Sequence, residues 1–257
     1  MSINAQAEGD HHRLAALQKK RPALSGMGAT SGSDPLASFI YHDLRHPLTA
    51  ILAYSELLAQ YDLDRLQRED FHQEIRQAAK RMDDLLSSLV DLSRDAVKVR
   101  GEVADMVATV KCAIQAVMVR PEFRRVAIRF YHQGLSQGWF DPRGLEQVIT
   151  NVVLNACEAV SPGTGQIEVR AWGRHERFEI SIADNGPGIP LSIRHALFQP
   201  YVTYGKKRGT GLGLAIAQKI LRDHGGDICL KSTGENGTEF RLILPSRPPG
   251  HDHLKPV

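Results

Sequence analysis

The sequence of 257 residues predicts an α-helical hairpin that pairs with a second copy into a dimeric four-helix bundle, followed by an α+β sandwich. Three observations predict this. Apolar residues recur in steps of three and four from 37 to 96, the signature of a helical seam. From about 101 the texture changes to strand-like runs alternating with helical ones. An apolar content of 42% with 24% charged residues is ordinary for globular protein that can build a core.

Residues 1–33 are rich in Gln, Ser and Gly without sustained periodicity, and are expected to be a flexible lead-in. Asp34-Pro35 is a helix-start signal, with Asp as cap and Pro in the first turn. The seam of the first helix is Ala37, Ile40, Leu44, Pro47, Ile51, Tyr54 and Leu58. After a polar turn near 62–67, Phe71, Ile75, Ala78, Met82, Leu85, Leu89, Leu92 and Ala96 keep the rhythm in a second helix. One hairpin leaves much of this stripe wet, so pairing of residues 34–100 with a second copy is expected.

Residues 101–246 hold strand-like runs at 126–131, 166–173, 178–183, 227–232 and 238–244, with helical runs at about 105–118, 142–160 and 212–224. This order predicts helices packed on one face of a mixed sheet. Residues 247–257 are Pro-rich and polar, a loose tail. Cys112, Cys157 and Cys229 lie far apart in apolar contexts, which argues against a metal site and for a reducing, cytoplasmic setting. No run reaches the roughly 18–20 apolar residues of a membrane span, and no secretion signal is evident. The net charge of +3 is scattered, against nucleic-acid binding.

Chemistry concentrates in two places. In Tyr41-His-Asp-Leu-Arg-His-Pro47, His42 falls at the heptad position facing away from the seam. Asp43 beside it can fix the ring tautomer, so that the other nitrogen offers its lone pair to an electrophile. Pro47 removes a backbone donor, so local loosening is expected. His42 and His46 share a face at i,i+4 as zinc-binding helices do, but Asp43, Arg45 and Pro47 depart from that pattern.

The second place is a trio of motifs: Asn151-x-x-x-Asn155, Asp184-Asn-Gly186-Pro-Gly188, and Gly209-Thr210-Gly211-Leu212-Gly213 preceded by Lys206, Lys207 and Arg208. Carboxamides at i,i+4 can complete the shell of a magnesium ion already held by phosphates. An acidic residue ending a strand before a Gly-rich turn suits an adenine amino group. Cations, small residues and a helix N-terminus suit a triphosphate. Order and company make the signal specific for a nucleotide pocket.

With these residues in view, the chain over about 34–245 resembles the sensor histidine kinases of two-component systems, whose phosphoacceptor hairpin precedes a Bergerat (GHKL) ATP-binding domain. The resemblance implies that His42 is the phosphoacceptor and Asp43 its acidic helper. It assigns Asn151 and Asn155 to magnesium and phosphate, and Asp184, Gly186 and Gly188 to adenine. Phe198 and Tyr201 match the aromatic box beside the ATP lid, Gly209, Gly211 and Gly213 the second glycine box, and Thr238 a strand threonine lining the adenine site. Pro200-Tyr-Val-Thr203 with the glycine box resembles the nitrogen-regulation branch. The implied activity is ATP- and magnesium-dependent autophosphorylation of His42 in a homodimer, then transfer to an aspartate of a separate response regulator. Input is expected from an upstream sensor protein or from further parts of a longer kinase.

The residues leave two rival readings. A GHKL ATPase usually carries a water-activating glutamate where Asn151 stands, and a degenerate kinase would dock a regulator without chemistry. One departure from the family matters: the position four after the acceptor, commonly Thr or Asn and linked to dephosphorylation of the regulator, is His46, which puts phosphatase activity in doubt.

Overall fold

The computed structural model describes residues 35–93, 101–204 and 210–247. The expectations for the lead-in, for the tail from 248, for Ala96 and for Lys206, Lys207, Arg208 and Gly209 lie outside the described residues. The chain divides into the units Met1–His42 and Asp43–Val257.

Helix α1 (Pro35–Gln60) runs on through Pro47. From Ile40 on its seam is covered as the repeat predicts, the side chain of Ala37 lying outside the described residues: Pro47 is buried and Ile40, Leu44, Ile51, Tyr54 and Leu58 are half-buried, while Arg45, His46 and Glu56 are exposed. A reciprocal cap starts α2 (Arg65–Ser93). The Gln67 N–H donates to Asp64 Oδ1 at 2.8 Å, and the Asp64 N–H to Gln67 Oε1 at 3.1 Å, so side chains satisfy two otherwise orphaned amides. The Tyr54 and Phe71 rings meet at 5.4 Å between centroids and hold the two helices together near the turn. Ala78 and Leu85 are buried on the α2 seam.

In the second module the short strands β1 (Glu102–Asp105) and β3 (Gln137–Phe140) pair antiparallel. Each leads directly into a helix capped by aspartate. Asp105 Oδ1 accepts from the Val107 and Ala108 amides ahead of α3 (Met106–Met118). Asp141 Oδ1 accepts from the Arg143 and Gly144 amides ahead of α4 (Pro142–Ala159). Each cap is worth about 1 kcal/mol. A 3-10 turn at Pro121–Phe123 follows α3.

The main sheet comprises β2 (Ala127–Gly134), β4 (Gln166–Gly173), β5 (Arg177–Asp184), β6 (Asp227–Gly234) and β7 (Gly237–Pro245), ordered β2-β4-β5-β7-β6. Only β2–β4 is parallel. Burial alternates along β4 and β7, so one face is core, as period-two patterning requires. Ile167, Val169, Phe178, Ile180, Ile182, Phe240 and Leu242 belong to the same buried cluster as α3, α4 and α6 (Gly213–Asp223). The other face carries ion pairs, Arg241 with Glu179 and Lys231 with Glu239. Burial alone would raise the Glu239 carboxyl, but bonds from Lys231 and Ser181 hold it below its ordinary range.

The mixed sheet with helices on one face is as predicted. The β1–β3 ribbon and the short α5 (Leu191–Arg194) were not legible, because four-residue elements leave no measurable period. Among the described residues no helix is long and apolar enough to cross a membrane.

Candidate functional site

A cavity of about 520 Å³ opens between α4, the end of β5, the loop after it and the start of α6, within the range of small-molecule sites. Asn151, Asn155, Asp184, Gly188, Thr210, Gly211, Gly213 and Thr238 line it, so the motifs separated in sequence meet in space.

Helix α4 explains the asparagines. Leu145, Val148, Ile149, Val152, Val153, Ala156 and Cys157 form its buried stripe, which turns Asn151 and Asn155 to the cavity side, both half-buried. Asn151 Nδ2 donates to the Gly213 carbonyl at 3.1 Å, pinning the start of α6 to α4 and leaving Oδ1 as the amide's remaining acceptor. At Gly213 a Cβ would lie 3.7 Å from Asn151.

Asp184 ends β5 opposite Thr238 of β7. Its Oδ1 accepts the Gly186 N–H at 2.8 Å. Burial raises its carboxyl above the ordinary 3.8, and backbone N–H bonds from Gly186 and Thr238 partly oppose that shift. A carboxylate with an energetic reason to find a donor thus faces the cavity. Gly188 holds φ +76°, and a Cβ there would stand 2.2 Å from the Gly234 carbonyl oxygen, so glycine is required. Gly186 is buried against the Ala159 carbonyl and braces the turn rather than lining the cavity.

Leu212 is fully buried and acts as a core residue at the head of α6. Phe198 packs edge-on against Phe240, centroids 6.4 Å apart; it supports the wall that Phe240 and Leu197 form. Tyr201 adopts φ +67°, costly for a non-glycine residue, and its N–H donates to the Gly211 carbonyl at 2.9 Å, tying Tyr201 to the glycine that precedes Leu212. Burial, and after it the charge of Asp43, push the Tyr201 phenol above its ordinary 10.0. Asp43 is half-buried on α1. His42 lies in α1, with its side chain outside the described residues.

Several contributors escaped the sequence reading. Asn185 Oδ1 accepts the Gln166 N–H and Nδ2 donates to the Thr164 carbonyl, stapling the turn to β4. Thr233 Oγ1 accepts the Ile189 N–H at 2.8 Å and lies 3.1 Å from Thr238 Oγ1. His224, buried at the end of α6, accepts the Asp141 N–H at Nε2 (3.1 Å) and donates from Nδ1 to the Ile220 carbonyl (2.7 Å). These bonds reach 4–83 positions along the chain, and no local pattern announces the long ones.

The donor set fits magnesium carried by phosphates. The cavity presents neutral carboxamides, and among the described residues no group of three His, Cys, Asp or Glu could hold a metal alone; magnesium typically relies on substrate phosphates for such sites.

Residues 36–96 match the His Kinase A (phospho-acceptor) domain, and residues 140–248 match the histidine kinase-, DNA gyrase B- and HSP90-like ATPase family. The chain is 33% identical over 240 residues to the signal transduction histidine-protein kinase AtoS of Escherichia coli, covering 91% of this chain and 38% of that protein. It is 33% identical over 211 residues to the alginate biosynthesis sensor protein KinB of Pseudomonas aeruginosa, 79% of this chain and 35% of that protein. The chain therefore spans little more than a third of the length of these relatives. The histidine kinase ThkA, solved in complex with the response regulator protein TrrA, shares the fold at a TM-score of 0.63 and 21% identity, over 96% of this chain and 67% of that one. With an acceptor hairpin and an ATPase-like domain in tandem, the chain belongs to the sensor histidine kinases of two-component systems.

Proposed function

We propose that this chain transfers the γ-phosphoryl group of ATP to His42 and then to an aspartate of a separate response regulator, working as a homodimer through residues 34–100. The observation that carries the reading is the half-buried Asp184 carboxylate in a cavity whose other wall bears Asn151, Asn155 and the start of α6, in a chain that also carries the acceptor hairpin. Asp184 accepts from the adenine amino group. Asn155 and the Oδ1 of Asn151 would hold magnesium, which would supply charge neutralisation on the phosphates. The amides and dipole at the start of α6 receive the polyphosphate.

In the reaction a lone-pair nitrogen of neutral His42 attacks the γ-phosphorus. The N–P bond forms, the bond to the β,γ-bridging oxygen breaks, and ADP leaves with that electron pair. Asp43 holds the proton of the second ring nitrogen and stabilises the imidazolium. Most of the acceleration is positioning and electrostatics. The neutral amide of Asn151, where hydrolases of this fold carry a base, favours transfer to a side chain over attack by water.

The test is incubation with γ-labelled ATP and magnesium beside His42→Ala. Acid-labile, alkali-stable label absent from the variant, with ATP binding retained, is expected. Label persisting in His42→Ala refutes the acceptor, and ATP binding with no label in the parent turns the reading towards a regulator-binding scaffold.

A further inference from the structure

Among the described residues lining the nucleotide cavity, the charged side chains are Asp84, Glu158, Asp184 and Arg120. Three carboxylates and one guanidinium among the described residues therefore line a space meant for a polyanion. Arg120 stands just past the end of α3, where the chain enters the 3-10 turn. Its backbone is fixed: the Arg120 N–H donates to the Val117 carbonyl and the Arg120 carbonyl accepts the Phe123 N–H, both at 3.1 Å. Pro121 restricts the preceding residue to extended backbone, and Arg120 has φ −71° and ψ 126°. Buried Phe123 anchors the turn from below. The guanidinium itself forms no ion pair with another described residue. An exposed arginine on a fixed backbone, at the wall of an acid-lined cavity, has its charge unpaired among the described residues, and only its side chain remains to be ordered on binding.

We propose that Arg120 is a further nucleotide-binding residue, its planar guanidinium contacting the polyphosphate of ATP from the wall that α3 and α4 share. The inference rests on the nucleotide reading of the cavity. Guanidinium presents a fork that matches two phosphate oxygens at once, which a lysine ammonium does not. The contact is independent of Lys206, Lys207 and Arg208, and it screens the phosphates from Glu158 on the same wall.

The experiment compares the full chain with Arg120→Gln and Arg120→Lys by calorimetric titration of AMP, ADP and ATP in magnesium, with thermal melting as the control for folding. Arg120→Gln should melt with the parent and bind ATP about tenfold more weakly, the scale of one charge-assisted bond. The loss should shrink for ADP and vanish for AMP. Arg120→Lys should recover part of it. Unchanged ATP affinity in Arg120→Gln, or an equal loss for AMP and ATP, overturns the assignment while leaving the nucleotide site standing. Failure of the parent chain to bind any of the three removes the nucleotide reading and this inference with it.

Discussion

Replacing Asp184 by asparagine separates what this residue does for the ligand from what it does for the fold. In the free domain Asp184 accepts the Gly186 N–H at 2.8 Å and a Thr238 backbone N–H, yet burial still raises its carboxyl above 3.8. The folded state therefore holds the proton more tightly than the unfolded chain. Its stability falls as pH rises from 3.8 through the raised value, and at neutral pH the ionised carboxylate is a cost to the fold. Asp184→Asn removes that cost and can keep one acceptor for Gly186, so the melting temperature should hold or rise slightly. Binding moves the other way. The variant loses a charge-assisted acceptor for the adenine amine, worth ~1.5–3 kcal/mol, so ATP affinity should fall roughly 10- to 150-fold. Because binding needs the ionised form, the parent's ATP affinity should also decline as pH drops through the raised Asp184 value, with proton release on binding in that range. Calorimetry in buffers of different ionisation enthalpy reads both effects. Asp184→Asn binding ATP as tightly as the parent, at an unchanged melting temperature, would refute the role given to this carboxylate.

Two further outcomes are expected. His224→Leu should strip the Asp141 N–H of its partner and leave the Ile220 carbonyl only the backbone N–H of residue 224, costing roughly 2 kcal/mol and lowering Tm by about 4–8 °C; His224→Gln should recover part of this in calorimetric melting, and an unaltered Tm in the Leu variant contradicts the latch. Burial, with help from the charge of Glu158, pushes the Cys157 thiol up to about 12, so at pH 8 a thiol reagent should modify exposed Cys112 and Cys229 quickly and Cys157 only on unfolding, whereas three rapid equivalents would contradict its burial.

The hairpin was legible because its signal is repetitive. Each covered seam position from Ile40 to Leu89 is one vote for the same period, and errors average out. The site was legible for a different reason: Gly188 and Gly211 sit where backbone geometry admits few residue types, and Asp184 ends the strand just before Gly188, so their identity and order carry information by themselves. Leu212 misled in the opposite direction. Set between two motif glycines it reads as a ligand contact, yet full burial makes it a packing residue. His224, Asn185 and Thr233 stayed hidden because a hydrogen-bond partner tens of positions away leaves no mark on the residues beside it. Arg120 belongs to this group, since only the third dimension brings the end of α3 to the cavity wall.

The pairing of β5 with β7 has a consequence for how the molecule comes into being. It sets Asp184 against Thr238, partners far apart along the chain, with α6 and β6 between them. Helices α3 and α4 can gather local contacts early, but the Asp184 end of the cavity has no existence until this distant strand docks, the slow kind of step in folding. A nucleotide therefore recognises only completed molecules. At a hundredfold excess over Kd it would add about 2.7 kcal/mol to the native side of the balance, so that under the proposed function ATP is also a selective ligand that draws newly made chains towards the native state.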